Sequence, residues 1–553
     1  MRVLGVNAVF HDPSAALVVD GQVVAAAEEE RFSRRKHGKR PVPFAAWELP
    51  EQAMAWCLAA GGLEADDLDA VGYSFDPALA RPAEENGLDD PWDWLRLEYA
   101  RRAPSFLATA LPGLNPGRVR FVPHEVAHAA SAGLASPHPV TSVLSLDGRG
   151  ESSSHLAGRY DQGKLQVLAG QQLPDSLGLV YESLTEHLGF LRSSDEYKVM
   201  ALASYGEPRF AEALREHVHA LPDGGFRARP PDWSRWAPPR RPDATLTEEA
   251  WRGPHADLAA SVQLVLEETL VGLARWLHDR TGDPALALAG GTALNCVANS
   301  RVWRESGFDD VWVQPAAGDA GTALGAALQL AAEAGDPVTP MPGADLGRAW
   351  SDDELAGFLR TARLPFTTPA DLADEVAQVL AADGVVAWFD GQAEYGPRAL
   401  GHRSLLAHPG PRANLERLNT VKGREQFRPV APMVLDDRAA EIFSDGPLPS
   451  PYMLFVHTVD PAWRERIAAA VHVDGTARIQ TVDTTTPRLH ATLRAFERRT
   501  GLPVVINTSL NTAGRPMVDH PHDAFELFGS APVDLLVLGP HLVRRADAFG
   551  SAR

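Results

Sequence analysis

VLGVNAVFHDPSAALVVDGQVVAAA, residues 3–27, is the stretch on which the fold turns. Residues 3–7, 15–20 and 22–27 read as three short strands, and Asp20-Gly21 supplies the pair that a tight hairpin turn between the last two demands. Between the first two lies a polar turn, Phe10-His11-Asp12-Pro13-Ser14. The same parts return later, with strands at 141–146, 154–160 and 164–168 and Asp161-Gln162-Gly163 as the second hairpin turn. A strand, a polar turn and a hairpin, used twice, predict two related halves.

This is the plan of the actin-like ATPases, in which two related subdomains face each other and nucleotide phosphates lie against the turns after the first strands. Two further clusters fit it. Gly290-Gly291-Thr292-Ala293-Leu294-Asn295 follows the apolar run 285–289, and Gly318-Asp319-Ala320-Gly321 follows 311–313 and opens an Ala-rich helical stretch over 322–334. Glycines between a strand and a helix let backbone approach a ligand closely and suit nucleotide or phosphate.

His124-Glu125-Val126-Ala127-His128 adds chemistry. On a helix this spacing puts both rings on one face, one turn apart. Asp147, in Asp147-Gly148-Arg149-Gly150, and Asp319 would arrive from strand ends and complete an N/O site for a divalent cation. The run also matches H-E-x-x-H, the zinc-protease helix in which the glutamate is general base. Against that, Ser131 and Leu134 stand where the metzincin pattern has glycine and histidine, and Glu151 follows a Gly-rich turn rather than sitting on a helix. A pair of structural core histidines is the third reading.

At 553 residues and 45% hydrophobic content the chain can bury substantial cores, and its length favours more than one domain. A net charge of −20 excludes broad attraction to nucleic acid or anionic lipid, so an anionic ligand needs a local basic pocket. Two cysteines, Cys57 and Cys296, make no disulfide framework, and neither a signal peptide nor a bilayer-length apolar run is evident. A cytoplasmic location without a membrane partner is the expectation. Residues 335–347 are rich in Pro and Gly, and a fresh helix start follows at Ser351-Asp352-Asp353-Glu354, which predicts domains over 1–340 and 351–553. The second domain reads as an α/β unit of mixed order, with a helix over 371–382 and strands over 385–389, 477–482 and 503–507. Residues 230–252 read as an irregular insertion suited to reaching an acceptor. Arg398, Arg403, Lys422, Arg424, Arg428, Arg478 and Arg515 fall in or near polar, Gly/Pro-punctuated segments, as a phosphate or carboxyl-phosphate site requires.

Phe10-His11-Asp12-Pro13-Ser14-Ala15-Ala16-Leu17, Ala27-Glu28-Glu29-Glu30-Arg31-Phe32-Ser33, the His124/His128 helix, Glu394-Tyr395-Gly396-Pro397-Arg398-Ala399-Leu400-Gly401 and Asn507-Thr508-Ser509-Leu510-Asn511 together resemble the NodU/CmcH-type O-carbamoyltransferase family, over essentially the whole chain. The resemblance implies an N-terminal duplicated actin-like (ASKHA) domain, akin to the TsaD-like tRNA threonylcarbamoyladenosine transferase, and a C-terminal YrdC-like α/β domain. It implies ATP and carbamoyl phosphate as substrates, carbamoyl adenylate as intermediate and a natural-product hydroxyl, as in antibiotic biosynthesis, as acceptor. His124, His128, Asp147 and Asp319 would bind the metal, iron(II) in relatives, with Mg, Mn or Zn as alternatives. Gly148, Gly290, Gly291, Asn295 and Gly318 would line the nucleotide. His11, with Asp12, would act as general base or orient the acceptor, and Lys36 would neutralise the adenylate phosphate. Arg398, Lys422, Arg424, Arg428, Arg478, Asn507 and Ser509 would surround carbamoyl phosphate and ATP. A homodimer follows only by analogy. The chain departs from the family pattern at Glu125, where a second histidine is common, at His402 and at Tyr197. A tRNA-modifying enzyme would share the adenylate chemistry, but the acidic balance and the lack of a basic tract disfavour nucleic acid.

Overall fold

The computed structural model describes residues 1–38, 49–241 and 252–550. The chain forms two compact units, Met1–Ala344 and Asp345–Arg553, divided inside the Pro/Gly-rich stretch. Of the insertion at 230–252, residues 242–251 lie outside the described residues, and the part before them holds one short turn of helix, Trp233–Arg235.

The first unit is built from a repeated sheet. Strands β1 (Arg2–Asn7), β2 (Ser14–Val19), β3 (Gln22–Glu28), β4 (Ala70–Tyr73) and β5 (Val119–Phe121) lie in the order β3-β2-β1-β4-β5. Strands β6 (Val140–Leu146), β7 (Ser153–Asp161) and β8 (Lys164–Gln172) come next, and β9 (Val218–Ala220) and β10 (Phe226–Ala228) pair separately. With β11 (Ala285–Ala289) and β12 (Asp310–Val313) the second sheet has the order β8-β7-β6-β11-β12. In each sheet the first three strands in sequence run antiparallel and the last two run parallel to the first. The duplication expected from the sequence is therefore present strand for strand. Even the hairpins agree: Asp20 and Gly21 have φ 51° and 78°, Gln162 and Gly163 49° and 77°, the left-handed pair of a twist-matched turn. Strand β8 runs past 168 because its pairing with β7 continues to Ser153 and Gln172. Its outward face is largely exposed there, so no apolar pattern announces it.

Helices exchange partners between the halves. β5 leads into the helix His124–Gly133, which packs on β6, β7 and β11, whereas the helix Ala320–Glu333, after β12, packs on β1, β2 and β4. The two helices also pack on each other, so closely that a Cβ on Gly325 would collide with the Ala127 carbonyl oxygen. Alanine and glycine dominate this contact because nothing larger leaves the helix axes near enough.

The second unit has a seven-stranded mixed sheet. Its strands are β13 (Val386–Phe389), β14 (Arg403–Ala407), β15 (Ala431–Leu435), β19 (Gln480–Val482), β20 (Val504–Ser509), β21 (Leu535–Leu538) and β22 (His541–Arg544), ordered β19-β15-β20-β14-β13-β21-β22. A small sheet holds β16 (Phe443–Ser444), β17 (Val456–Val459) and β18 (Thr476–Arg478). Alternation along β13 sends Val386 and Trp388 to one core, with Leu380, Leu493 and Phe496, and Ala387 and Phe389 to the other, with Leu359, Leu418 and Phe528. The single strand expected over 477–482 is two strands in different sheets: Arg478 pairs with Val456, while Gln480 pairs with Met433. A change of partner within three residues leaves no trace in hydrophobic periodicity. Cys57 and Cys296 are both buried and form no disulfide. Among the described residues no helix is long and apolar enough to cross a membrane.

Candidate metal centre and cationic cluster

Four residues far apart in sequence converge where the two exchanged helices begin. His124 opens its helix, His128 lies one turn on, Asp147 follows β6, and Asp319 precedes the Ala320–Glu333 helix. His124 and His128 have no exposed surface, and Asp319 is 1% exposed. His124 Nε2 lies 3.7 Å from both Asp147 Oδ2 and Asp319 Oδ1; His128 Nε2 lies 3.8 Å from Asp147 Oδ1 and 3.7 Å from Asp319 Oδ1. Tetrahedral ligands on bonds of about 2.1 Å stand about 3.4 Å apart, so the set is close to the size of a cation site. His124 Nδ1 donates to the Ser74 carbonyl at 3.0 Å, which leaves Nε2 as the free ligand atom. His124 Nε2, both ring nitrogens of His128 and both Asp319 oxygens are buried without hydrogen-bond partners among the described residues. Buried polar atoms are rarely left so, and acceptors gathered without donors fit a bound cation.

The glycines gather around Asp147. Gly291 N–H donates to Asp147 Oδ1 at 2.9 Å. Gly290, at φ 88°, sits against the backbone of Leu146, where any Cβ would collide. Ser176 Oγ donates to the Gly148 carbonyl at 2.7 Å, and Gly318 lies near Leu294. Asn295 behaves differently: it caps the helix Cys296–Glu305 through Ala298 N–H and exchanges amide hydrogen bonds with Gln263 at 2.8 and 3.1 Å.

Glu125 does not act as a protease base here. It is turned to Ser145, which donates to Oε2 at 2.5 Å, and burial raises its carboxyl to about 7 although the neighbouring imidazoles pull it down. Glu151, weighed in the sequence as a zinc ligand, instead accepts from the His124 and Asp76 N–H groups at 2.9 and 2.7 Å and anchors the helix start.

His11 stands beside the centre, its Nε2 3.9 Å from Asp319 Oδ2. Asn7 Nδ2 holds this turn by donating to the carbonyls of His11 and Asp12 at 2.9 and 3.0 Å. Asp12, at φ 49°, bridges two imidazoles, accepting from His11 Nδ1 and His37 Nδ1 at 2.8 Å each. His37 Nε2 meets Ser194 Oγ at 2.9 Å, and half-buried Lys36 adjoins it. Burial opposes charge on His11, yet Asp319, Asp12 and Asp147 outweigh it and raise the imidazolium to about 10. Burial would likewise raise Asp12, but His37 and His11 hold it well below the usual carboxylate range. Asn7, His37 and Ser194 carried no sequence signal, since positions 11, 37 and 194 meet only in the fold.

In the second unit Lys422 Nζ is the hub of a cluster. It donates to Ser509 O and Oγ at 2.5 and 3.0 Å and to Asn511 O and Oδ1 at 3.1 and 2.6 Å. Asn511 is a member that the sequence left as part of a motif. Arg428 pairs with Glu425 at 3.5 Å, and Arg424 donates to Asn419 Oδ1 at 2.5 Å. Asn507 donates to the Ala399 carbonyl and Gln480 at 2.8 and 2.9 Å, tying down the loop that carries half-buried Arg398. Arg478 is half-buried, with its Nε enclosed and without a hydrogen-bond partner among the described residues. Two cations of the sequence pattern serve the fold instead. Arg403 is buried, lies 3.8 Å from the Phe389 ring centroid and donates to four backbone carbonyls, while Arg515 pairs with Glu526 at 2.6 Å.

Residues 2–81 and 114–328 match the family model described as carbamoyltransferase N-terminus, and residues 377–545 match carbamoyltransferase C-terminus. Nodulation protein NolNO of Sinorhizobium fredii is 36% identical over 98% of this chain and 80% of its own length. Nodulation protein NolO of Bradyrhizobium diazoefficiens is 39% identical over 77% of this chain and 79% of its own. The chain belongs to the carbamoyltransferase family and is a carbamoyltransferase. The protease reading of His124-Glu125-Val126-Ala127-His128 is thereby displaced. Among solved structures, HypF of T. kodakarensis aligns with 61% of this chain and 49% of its own at 14% identity and a TM-score of 0.39. The ROK hexokinase of Thermus thermophilus aligns with 60% of this chain and 98% of its own at 14% identity and a TM-score of 0.29.

Proposed function

We propose that the protein uses ATP and carbamoyl phosphate to make carbamoyl adenylate and transfers the carbamoyl group to a hydroxyl of a small-molecule natural product. Unit 1, with one strand order used twice, is assigned as the actin-like transfer domain, and unit 2 as the YrdC-like activating domain. The observation that carries the reading is the buried four-residue cation set of unit 1, built beside His11 on a chain of this family. Activation has a chemical reason: carbamate resists attack because of its charge and resonance, whereas a mixed anhydride carries a good leaving group.

In unit 2, Lys422, Arg398, Arg424, Arg428 and Arg478 neutralise and position the phosphates, with Ser509 orienting them and Asn507 holding the loop that carries Arg398. In unit 1, His124, His128, Asp147 and Asp319 would hold a divalent cation, iron(II) by family resemblance, which supplies Lewis-acid polarisation of the adenylate phosphate. Gly148, Gly290, Gly291, Asn295 and Gly318 border the nucleotide, and Lys36 offsets the charge of the leaving phosphate. Charged His11 donates from Nε2 to the acceptor oxygen and orients it, with Asp12 fixing its ring; a base role requires that the charge of Asp319 and Asp147 be offset.

The test is pyrophosphate release. Release should require both ATP and carbamoyl phosphate and should fall about a hundredfold or more in Lys422→Ala. Release without carbamoyl phosphate, or unchanged in the variant, would overturn the assignment.

A further inference from the structure

Ser194, His37 and Asp12 stand in the order and at the spacings of a nucleophilic triad. Ser194 Oγ is 2.9 Å from His37 Nε2, and His37 Nδ1 is 2.8 Å from Asp12 Oδ1. A carboxylate that accepts from Nδ1–H fixes the imidazole tautomer, leaving Nε2 to receive the hydroxyl proton. Two of the neighbouring backbone positions are left-handed although neither is glycine: Ser193, directly before the serine, has φ 55°, and His37 has φ 59°. Such conformations cluster at functional sites. Ser194 is half-buried and His37 28% exposed, so a small donor can reach them from solvent.

We propose that Ser194 is an activated nucleophile, with His37 as its base and Asp12 as the orienting carboxylate, and that it accepts a carbamoyl or acyl group from an activated carbonyl donor. The serine oxygen bonds to the carbonyl carbon, and the bond from that carbon to its leaving oxygen breaks. The hydroxyl proton passes to His37 Nε2 and from there to the leaving oxygen. The product is an ester on Ser194, and water releases it by the reverse proton path. Asp12 gives its other oxygen to His11, so the triad shares a carboxylate with the transfer site while needing neither ATP nor carbamoyl phosphate.

The full-length protein is treated with para-nitrophenyl carbamate and, separately, with a fluorophosphonate, and adducts are located by peptide mass spectrometry. The expected result is an adduct on Ser194, lost in Ser194→Ala and formed about a hundredfold or more slowly in His37→Gln. Exposed Ser105 of the same molecules gives a reference that needs no variant, and Ser194 should exceed it by a similar factor. Absence of the adduct, labelling no faster than at Ser105, or an unchanged rate in a folded His37→Gln protein would overturn the inference. Because no ATP is present, none of these outcomes bears on the adenylate reading.

Discussion

Glu196 shows what burial of a carboxyl beside the Ser193–Ser194 turn costs. Its Oε1 accepts from Ser193 N–H at 2.7 Å, and burial, then the nearby charge of Glu182, raise its carboxyl from 4.5 to about 7. An acid whose folded pKa lies above its unfolded one binds more protons when folded, so stability is greatest below about 4.5 and declines as pH rises to about 7. Glu196→Gln should flatten that part of the profile, and parallel melting curves for the two proteins across this window would contradict the assignment. At this scale the sequence carried the four residues of the candidate cation cluster. Two histidines at i and i+4 announce one helix face, and aspartates beside glycines announce strand ends. It did not carry Glu151, Asn7, His37 or Asn511, whose roles depend on hydrogen bonds made across the fold. Nor did it separate Arg403, buried over Phe389, from the cations of the cluster, because nothing local distinguishes a core arginine from a ligand-binding one.

Among the elements, the helix pair His124–Gly133 and Ala320–Glu333 governs the centre, since three of its four candidate ligands sit on these helices or at the start of one. Their separation is set by the glycine contact at Gly325. Gly325→Ala should cost about 2–4 kcal/mol in urea unfolding and weaken cation binding at least tenfold by calorimetric titration, because overpacking pushes the helices apart. Full stability with unaltered affinity would show that the spacing does not matter. Hairpins, strand-to-helix turns and the Ala-rich helix were legible because each has a strong local signal. The exchange of helices between sheets was not, as no periodicity records which sheet a helix covers. The split of 477–482 escaped for the same reason, both strands being read as one run.

For the whole molecule, the two units divide the proposed chemistry: a cationic cluster in one activates carbamoyl phosphate, and a histidine–carboxylate centre in the other transfers the carbamoyl group. A net charge of −20 makes the first task depend on local arginines and Lys422 rather than on an overall field. The most direct measurement is an acceptor-free incubation of the metal-loaded protein with ATP and carbamoyl phosphate, with carbamoyl adenylate followed by mass spectrometry in wild type, Arg478→Ala and His124→Ala. The account predicts adenylate in wild type, its loss in Arg478→Ala and its persistence in His124→Ala. No adenylate from the wild-type protein, or its loss in His124→Ala with Arg478→Ala unaffected, would contradict the division of labour between the two units.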